Sequence, residues 1–493
     1  MINKTEAVKD FEFIKNKAKK YFKNNSFDKS LACVELACRI AYHLNFKYCD
    51  DDLEQLMVDF SIKFNQWHDF SNNGSSLKIV FYDCFGLDSR GLTQQYIRAL
   101  NEWNVPFLYI LENDACIEQS KEILQELQNM KHAEILIVSS KLSNLERIKT
   151  IGDAIMTFKP NKALLHMSPW DVVGNVVWNA FPSIVKYQIN LTDHAFWLGK
   201  ECSDFFLEFR DYGVNISNKE RRIDIEKLLI LPYYPIQLDI PFKGFPVSTE
   251  GKTVLFSGGS FYKMYGENDT FFKLLKRVLD ENDNCIIFIA GSGNIKPFRK
   301  FIEENKFEEK IILLGNRTDI NAIFRNIDIY ISTYPILGAL MAQFAAVNKK
   351  NIVAYTSSEI PCNFLDGLVK TEKSLTYTKI DDFHKEINHL IANKDYRRNQ
   401  LQNLEQSVIS PKEFNDQLLE LIDDPIQNIS PNYYNINIDK FSDLYFEMEN
   451  KYLKTYNVFI FSFAKVSKFK VPVSMLLRSA QYSVSRIIAK IGL

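Results

Sequence analysis

The chain has 493 residues, room for two or three domains, with 46% apolar and 25% charged residues, an ordinary balance for a globular protein. A formal net charge of −1 excludes a general electrostatic drive toward nucleic acid, and no window approaches the ~18 uncharged apolar residues that a membrane span requires. The eight Cys include no CxxC pair and no metal spacing, and several sit in apolar runs such as NCIIFIA around Cys285. They read as reduced core thiols; with the charged start MINKTEAVKDFEF they point to the cytoplasm. Abundant Lys, Asn, Ile and Phe suggest a bacterial, AT-rich genome.

Residues 1–72 are expected to be helical. Phe11, Ile14, Ala18 and Tyr21–Phe22 share one helix face, LACVELACRIAYHL continues the period, and a third helix covers about Leu53–Trp67. The pattern suits a packing collar or a partner-binding hairpin. SNNGSS (71–76) reads as a linker. An α/β unit over 77–230 follows, with strands at 77–85, 106–111, 134–139 and 162–167 separated by helices, and a further strand at 183–190. The segment 231–252 carries Pro232, Pro235, Pro241 and Pro246, so it continues neither a strand nor a helix and reads as an interdomain crossing.

From 253 to about 424 the alternation resumes: TVLFSGGS, CIIFIAGSG, KIILLGNR and IDIYIST, each followed by a helix, then the strand NIVAYT and a helical region. The expected class is therefore α/β, two parallel sheets with helices on both faces. Three strands run into glycine-containing turns: Ser257-Gly258-Gly259-Ser260, Gly291-Ser292-Gly293 and Gly315-Asn316-Arg317. Glycine lets backbone N–H groups approach an anion, and the following helix turns its positive end the same way. A phosphorylated ligand, a nucleotide first of all, suits this half. The last part, 433–493, reads as helical. From 451 it holds eight Lys and Arg and no Asp or Glu, interleaved with Phe459, Phe461, Phe463, Phe469, Met475, Leu476, Ile487 and Ile488. It suits either an anionic membrane surface or docking on an acidic face.

Over 77–410, the two α/β halves, the proline-rich crossing, FSGGS, AGSGN and LLGNRTDINAIFRNIDIYIST together resemble the GT-B class of bacterial nucleotide-sugar glycosyltransferases, of the capsule, lipopolysaccharide or protein-glycosylation type. The resemblance implies two Rossmann-like lobes facing a cleft, with the diphosphate donor held by the second lobe and the acceptor by the first. It implies transfer of a hexosyl group from a nucleotide diphosphate sugar, a UDP-sugar first, to a glycan, glycolipid or protein, with no permanent cofactor and no metal. It also implies an enzyme of surface-polysaccharide or glycoprotein assembly, and the basic tail, 451–493, outside the resemblance, would hold such a cytoplasmic enzyme peripherally at the membrane near lipid-linked acceptors. One departure stands out. The commonest retaining branch has two Glu separated by seven residues, and this chain has Pro335 and Gln343 there. That leaves open an inverting enzyme, a non-catalytic subunit that stabilises a partner glycosyltransferase, and a sugar-nucleotide 2-epimerase.

Asp193-His194, after strand 183–190, is the candidate catalytic pair: the His takes the acceptor proton or bonds the donor sugar, and the Asp fixes its tautomer. A buried structural Asp–His pair is the competing reading. Donor-binding candidates are Ser257, Gly258, Gly259, Ser260 and Lys263 for the diphosphate, with Gly291 and Gly293 beside them. Asn316 and Arg317 are candidates for the base, and Tyr334, Gly338, Ala339, Leu340 and Met341 for phosphate or sugar. Arg90 and Gly91 in GLDSRGLT, and His166 at the end of KALLHM, are candidates for the acceptor side of the cleft. Arg210 and Arg221-Arg222 read as exposed surface groups, with contact to an anionic acceptor as the alternative.

Overall fold

A computed structural model describes residues 1–67, 76–365, 367–427 and 429–491, with side chains as far as Ile487. The expected linker falls, apart from Ser76, outside the described residues, as do the side chains of Ile488 and Lys490. Three helices come first: α1 (Lys4–Lys23), α2 (Phe27–Leu44) and α3 (Asp51–Phe64). The first lobe comprises β1 (Ile79–Asp83), α4 (Thr93–Glu102), β2 (Phe107–Leu111), α5 (Lys121–Gln128), β3 (Ala133–Ile137), α6 (Asn144–Phe158), β4 (Lys162–His166), α7 (Val172–Asn179), β5 (Val185–Ile189), β6 (Phe205–Glu208), α8 (Asp211–Lys219) and β7 (Leu228–Ile230). The second comprises β8 (Thr253–Ser260), α9 (Thr270–Glu281), β9 (Cys285–Ser292), α10 (Lys296–Asn305), β10 (Ile311–Gly315), α11 (Ile320–Arg325), β11 (Ile329–Ile331), α12 (Ala339–Val347), β12 (Asn351–Tyr355), β13 (Thr376–Tyr377), α13 (Ile380–Ala392) and α14 (Lys394–Asn399). The helices α15 (Pro411–Asp423), α16 (Ile438–Met448), α17 (Tyr456–Val466) and α18 (Val473–Ile491) end the described chain.

Every strand pairing is parallel. The sheet orders are β3-β2-β1-β4-β5-β6-β7 and β10-β9-β8-β11-β12-β13, so both lobes run third, second, first, fourth, fifth, sixth. Strand order reverses beside the first strand of each, and ligands of doubly wound sheets bind beyond the carboxyl ends at that point. Strands β1 and β2 are buried at every position, as parallel strands covered on both faces must be. The sequence reading missed β6, β7, β13 and α7; the first three are strands of two to four residues, too short to set a period.

The proline-rich crossing is followed by a second link between the lobes. Helix α15 opens with Pro411 at its first turn and a Ser410–Glu413 capping box, then packs on the first lobe. Phe414 meets Tyr96 and Tyr234 at ring centroid distances of 5.2 and 5.6 Å, and the Ile422 carbonyl accepts from the Tyr187 hydroxyl at 3.1 Å. The N-terminal helices and α17 form one body: Phe463 packs edge-on against Phe13, and the Tyr456 hydroxyl donates to Asp10 at 2.5 Å. Helix α16 is a wedge. Its Phe441, Leu444 and Tyr445 share a core with Ala195 and Tyr212 of the first lobe and Ile336 and Cys362 of the second. Half of the basic tail is thus docked on the body of the protein.

Candidate active cleft

The carboxyl edges of the two sheets face each other across a cavity of about 630 Å³. Its first-lobe wall is the loop after β1 (Phe85, Leu87, Asp88, Ser89, Arg90), the loop after β5 (Leu191, Thr192, Asp193, His194) and Arg210. Its second-lobe wall is Gly259, Ser260, Tyr262 and Lys263 after β8, Gly291 and Ser292, the segment 316–321, and Ile336–Met341 at the start of α12.

Asp193 is buried and receives two partners: Arg210 Nε donates at 2.5 Å, and His194 Nδ1 lies at 3.3 Å. Burial alone would raise the Asp193 carboxyl. The Arg210 guanidinium and the imidazole outweigh it and hold it well below the usual carboxylate range. Burial lowers His194 from its ordinary value. The Asp193 charge opposes this, while Lys263 and Arg210 add to it, so the ring is neutral at pH 7. With Nδ1 engaged by a carboxylate, Nε2 is the nitrogen left for a substrate hydroxyl.

The turn carrying this pair is held from every side. Arg221 is fully buried and donates to the carbonyls of Thr192 (3.1 Å) and Ala195 (2.6 Å). Glu208, lifted to about 7 by burial against the pull of Arg221, accepts from both Asn190 and Ser217. Asn45, in the left-handed conformation that ends α2, donates to the His194 carbonyl at 3.1 Å, and Tyr445 of α16 does so at 3.4 Å. Glu54 of α3 accepts the backbone N–H groups of Gly199, Lys200 and Glu201. Arg210 also reaches across the cleft to the carbonyls of Cys362 (2.8 Å) and Phe364 (3.2 Å).

The second-lobe wall combines glycine-bearing backbone with side chains, Lys263 and Arg317 among them. Strand β8 runs through Ser260, so Ser257 to Ser260 form no turn, contrary to the sequence reading. Ser257 and Gly258 lie inside the sheet, where a Cβ on Gly258 would meet the Met341 methyl at 2.9 Å. Gly259, at φ +140°, and Ser260 are the residues at the cleft. Gly291 is required by packing, since a Cβ there would fall 2.0 Å from the Gly259 carbonyl. Lys263 Nζ donates to the Leu337 carbonyl at 3.0 Å; burial, opposed by Asp193 and aided by Arg210, brings it down to about 8. Gly338 caps α12, and Ala339, Leu340 and Met341 offer the unpaired N–H groups of its first turn. Arg317 is fixed by Asp319 (2.7 and 2.5 Å) and by the Gly244 carbonyl of the crossing (3.0 Å).

Several sequence candidates lie elsewhere. His166 is fully buried behind the loop after β1 and contacts Asp83 at 3.1 Å. Asp83 also accepts from Phe85 N, Gly86 N, Thr93 and Tyr109, so this buried carboxylate ties down the loop that carries Arg90 to the cleft. Gly91 is buried against the His166 ring, and Gly293 is not among the lining residues. Tyr334 is buried, with its hydroxyl on Glu267 at 2.5 Å and its ring on Tyr355. Gln343 is buried and donates to the Tyr233 carbonyl of the crossing at 2.5 Å. Arg210 and Arg221 are buried supports of the cleft, contrary to the surface reading; Arg222 alone of the three is exposed, paired with Asp51. Sequence reasoning also missed Tyr42 of α2, which lines the cleft and meets Trp170 edge-on at 5.3 Å, and Tyr262. Tyr42 stands in the apolar period of α2 and carries no signal that separates it from a core residue.

No family model and no curated protein matches the chain. Solved structures do. Anabaena HepE, solved with UDP and glucose, superposes with a TM-score of 0.53 at 13% identity over 71% of this chain and 100% of that one. A glycosyltransferase from Rickettsia africae gives 0.52 at 14% identity over 72% and 100%. A variant of the Thermobaculum terrenum O-GlcNAc transferase gives 0.51 at 11% identity over 89% and 82%. At such identities the likeness is one of fold, and the fold is GT-B: α/β, with two Rossmann-like lobes about a cleft.

Proposed function

We propose that the chain transfers a hexosyl group from a nucleotide diphosphate sugar to a hydroxyl of an acceptor in this cleft. The observation that carries the reading is that Asp193–His194 on one lobe and Lys263 with the start of α12 on the other line a single cavity. His194 Nε2 takes the proton of the acceptor hydroxyl as its oxygen attacks the anomeric carbon. The bond from that carbon to the diphosphate breaks, and its electron pair leaves on the phosphate oxygen. Lys263, the N–H groups around Gly259 and Ser260, and the first turn of α12 stabilise the charge that develops there. Asn316 and Arg317 are the contacts proposed for the base. Arg90, Tyr42 and Tyr262 stand on the acceptor side. Attack opposite the leaving group makes the transfer inverting, and these cations and amides do the neutralising without a metal.

A UDP-sugar is the proposed donor, supported by the UDP in the Anabaena structure. The proposed acceptor is a glycan, glycolipid or protein in the bacterial cytoplasm, in surface-polysaccharide or glycoprotein assembly. One observation favours a second reading, a non-catalytic subunit of a partner enzyme: Gln343, which the sequence resemblance matches to a carboxylate of the retaining branch, is buried and bonds the crossing. Chromatography of UDP released from UDP-glucose, UDP-galactose and UDP-N-acetylglucosamine separates the two. The enzyme releases UDP, and His194→Ala loses the release while still binding UDP. Binding of UDP with no release from any donor favours the subunit.

A further inference from the structure

Helix α18 carries an apolar line that nothing among the described residues covers. Val473 is 71% exposed, Leu477 61%, Val484 55% and Ile487 57%. With the exposed Ala480 they follow one another at steps of four, three, four and three residues, one stripe along a helix. Phe469, 50% exposed, stands just before its start. Single exposed apolar residues need no explanation, but a continuous line of them marks an interaction surface. The other face of α18 is already used. Met475 is fully buried, Ser479 is buried, and Arg478 pairs with Glu6 at 3.0 Å while lying over the Tyr456 ring. The body of the protein therefore fixes which face looks outward.

The charge beside the stripe has one sign. Lys465, Lys468, Lys470 and Arg486 are exposed, and residues 451–493 contain no Asp or Glu. A second copy laid stripe on stripe would bring these cations together with no acid of the same segment to offset them. An anionic surface neutralises them and takes up the apolar side chains at the same time. The position is also suggestive of use. Phe459 of α17 lies 5.0 Å from the His43 ring, which neighbours Trp170 and the cleft-lining Tyr42. Helix α17, on which α18 packs through Phe461 and Tyr482, thus backs the first-lobe wall of the cleft.

We propose that the outer face of α18 seats the protein on an anionic phospholipid bilayer, lying in its interface. Among the described residues no helix is long and apolar enough to cross a membrane, so the seat is peripheral. It does not depend on the chemistry proposed for the cleft. The test is sedimentation of the full chain with vesicles of phosphatidylcholine alone and of phosphatidylcholine with phosphatidylglycerol. The seat predicts sedimentation with the mixed vesicles that salt weakens. It predicts about a tenfold loss of partitioning in Lys468→Gln with Lys470→Gln, and a similar loss in Leu477→Asp with Val484→Asp. All four positions are exposed, so unchanged melting temperatures keep the comparison clean. Equal sedimentation with both vesicle types, none with either, or none of the expected loss in the variants overturns the proposal. So does a dimer by light scattering that Leu477→Asp dissolves, which assigns the stripe to a second copy.

Discussion

The two lobes share one strand order and face one cavity, yet they build their walls from different materials. The first lobe presents side chains, His194 above all, on a turn clamped by Asp193, Arg210, Arg221 and Glu208, all buried. The second brings glycine-bearing backbone, Gly259 and Ser260 at the end of β8 and the start of α12, together with the cations Lys263 and Arg317. The contrast follows from what each wall is proposed to do. Moving a proton needs a group whose basicity and orientation are set, and buried charges set both. Holding a diphosphate needs positive potential, which main-chain amides supply at any pH and Lys263 supplies while it is protonated.

The sharpest break of this contrast is His194→Ala. Loss of the base predicts a fall in turnover of about 10²–10⁴-fold, with UDP affinity unchanged by calorimetry. Next is Arg210→Met, which leaves the Asp193 carboxylate buried without its cationic partner and with His194 alone beside it. Urea denaturation is expected to show a loss of about 3–5 kcal/mol. The same measurement on Arg222→Ala, an exposed pair with Asp51, is expected to show about 0–1 kcal/mol. Equal costs would mean that the buried network does not hold the turn.

On the other wall, Lys263→Met predicts a fall of about 10²–10³-fold in turnover through loss of charge stabilisation. The pH profile of kcat/KM carries both walls at once. His194 is depressed, so the acid limb falls only below the ordinary histidine value, where the ring becomes protonated. Lys263 loses its proton as pH rises through about 8, which sets an alkaline limb there. Lys263→Arg should retain activity and remove the alkaline limb; a limb that persists assigns it to another group. The smallest effect is expected from Gln343→Glu. Restoring the carboxylate type gives no new activity and costs about 1–3 kcal/mol, because a buried donor to the Tyr233 carbonyl is lost.

The lobes also differed in how far they could be read from the residues alone. The fold of the second lobe was legible because it is written in glycines and in the order of strands and turns. Even so, the turn expected at Ser257–Ser260 is strand, since a glycine required by packing, Gly258 beneath Met341, looks the same as one required by a ligand. In the first lobe the residues pointed to Asp193-His194, where two chemical groups are adjacent in the chain, and to Arg90 beside a glycine, and all three line the cavity. Arg210 and Arg221 look like any surface arginine until β6 and α8 fold them inward. His166 was misplaced because a strand end predicts the edge of the sheet, not which side of a loop the ring takes; Asp83 draws it behind the loop. Asn45, Glu54 and Tyr42, from helices that read as a collar, reach the cleft or its supports through contacts 145 or more residues apart in the chain for the two that bond there, beyond any local pattern.

The division of labour between the walls is tested most directly by calorimetric titration of UDP into the wild type, His194→Ala and Lys263→Met. The expected result is one site, equal affinity in wild type and His194→Ala, and a clear loss in Lys263→Met. An absence of UDP binding in the wild type, or a loss caused by His194→Ala and not by Lys263→Met, would contradict it.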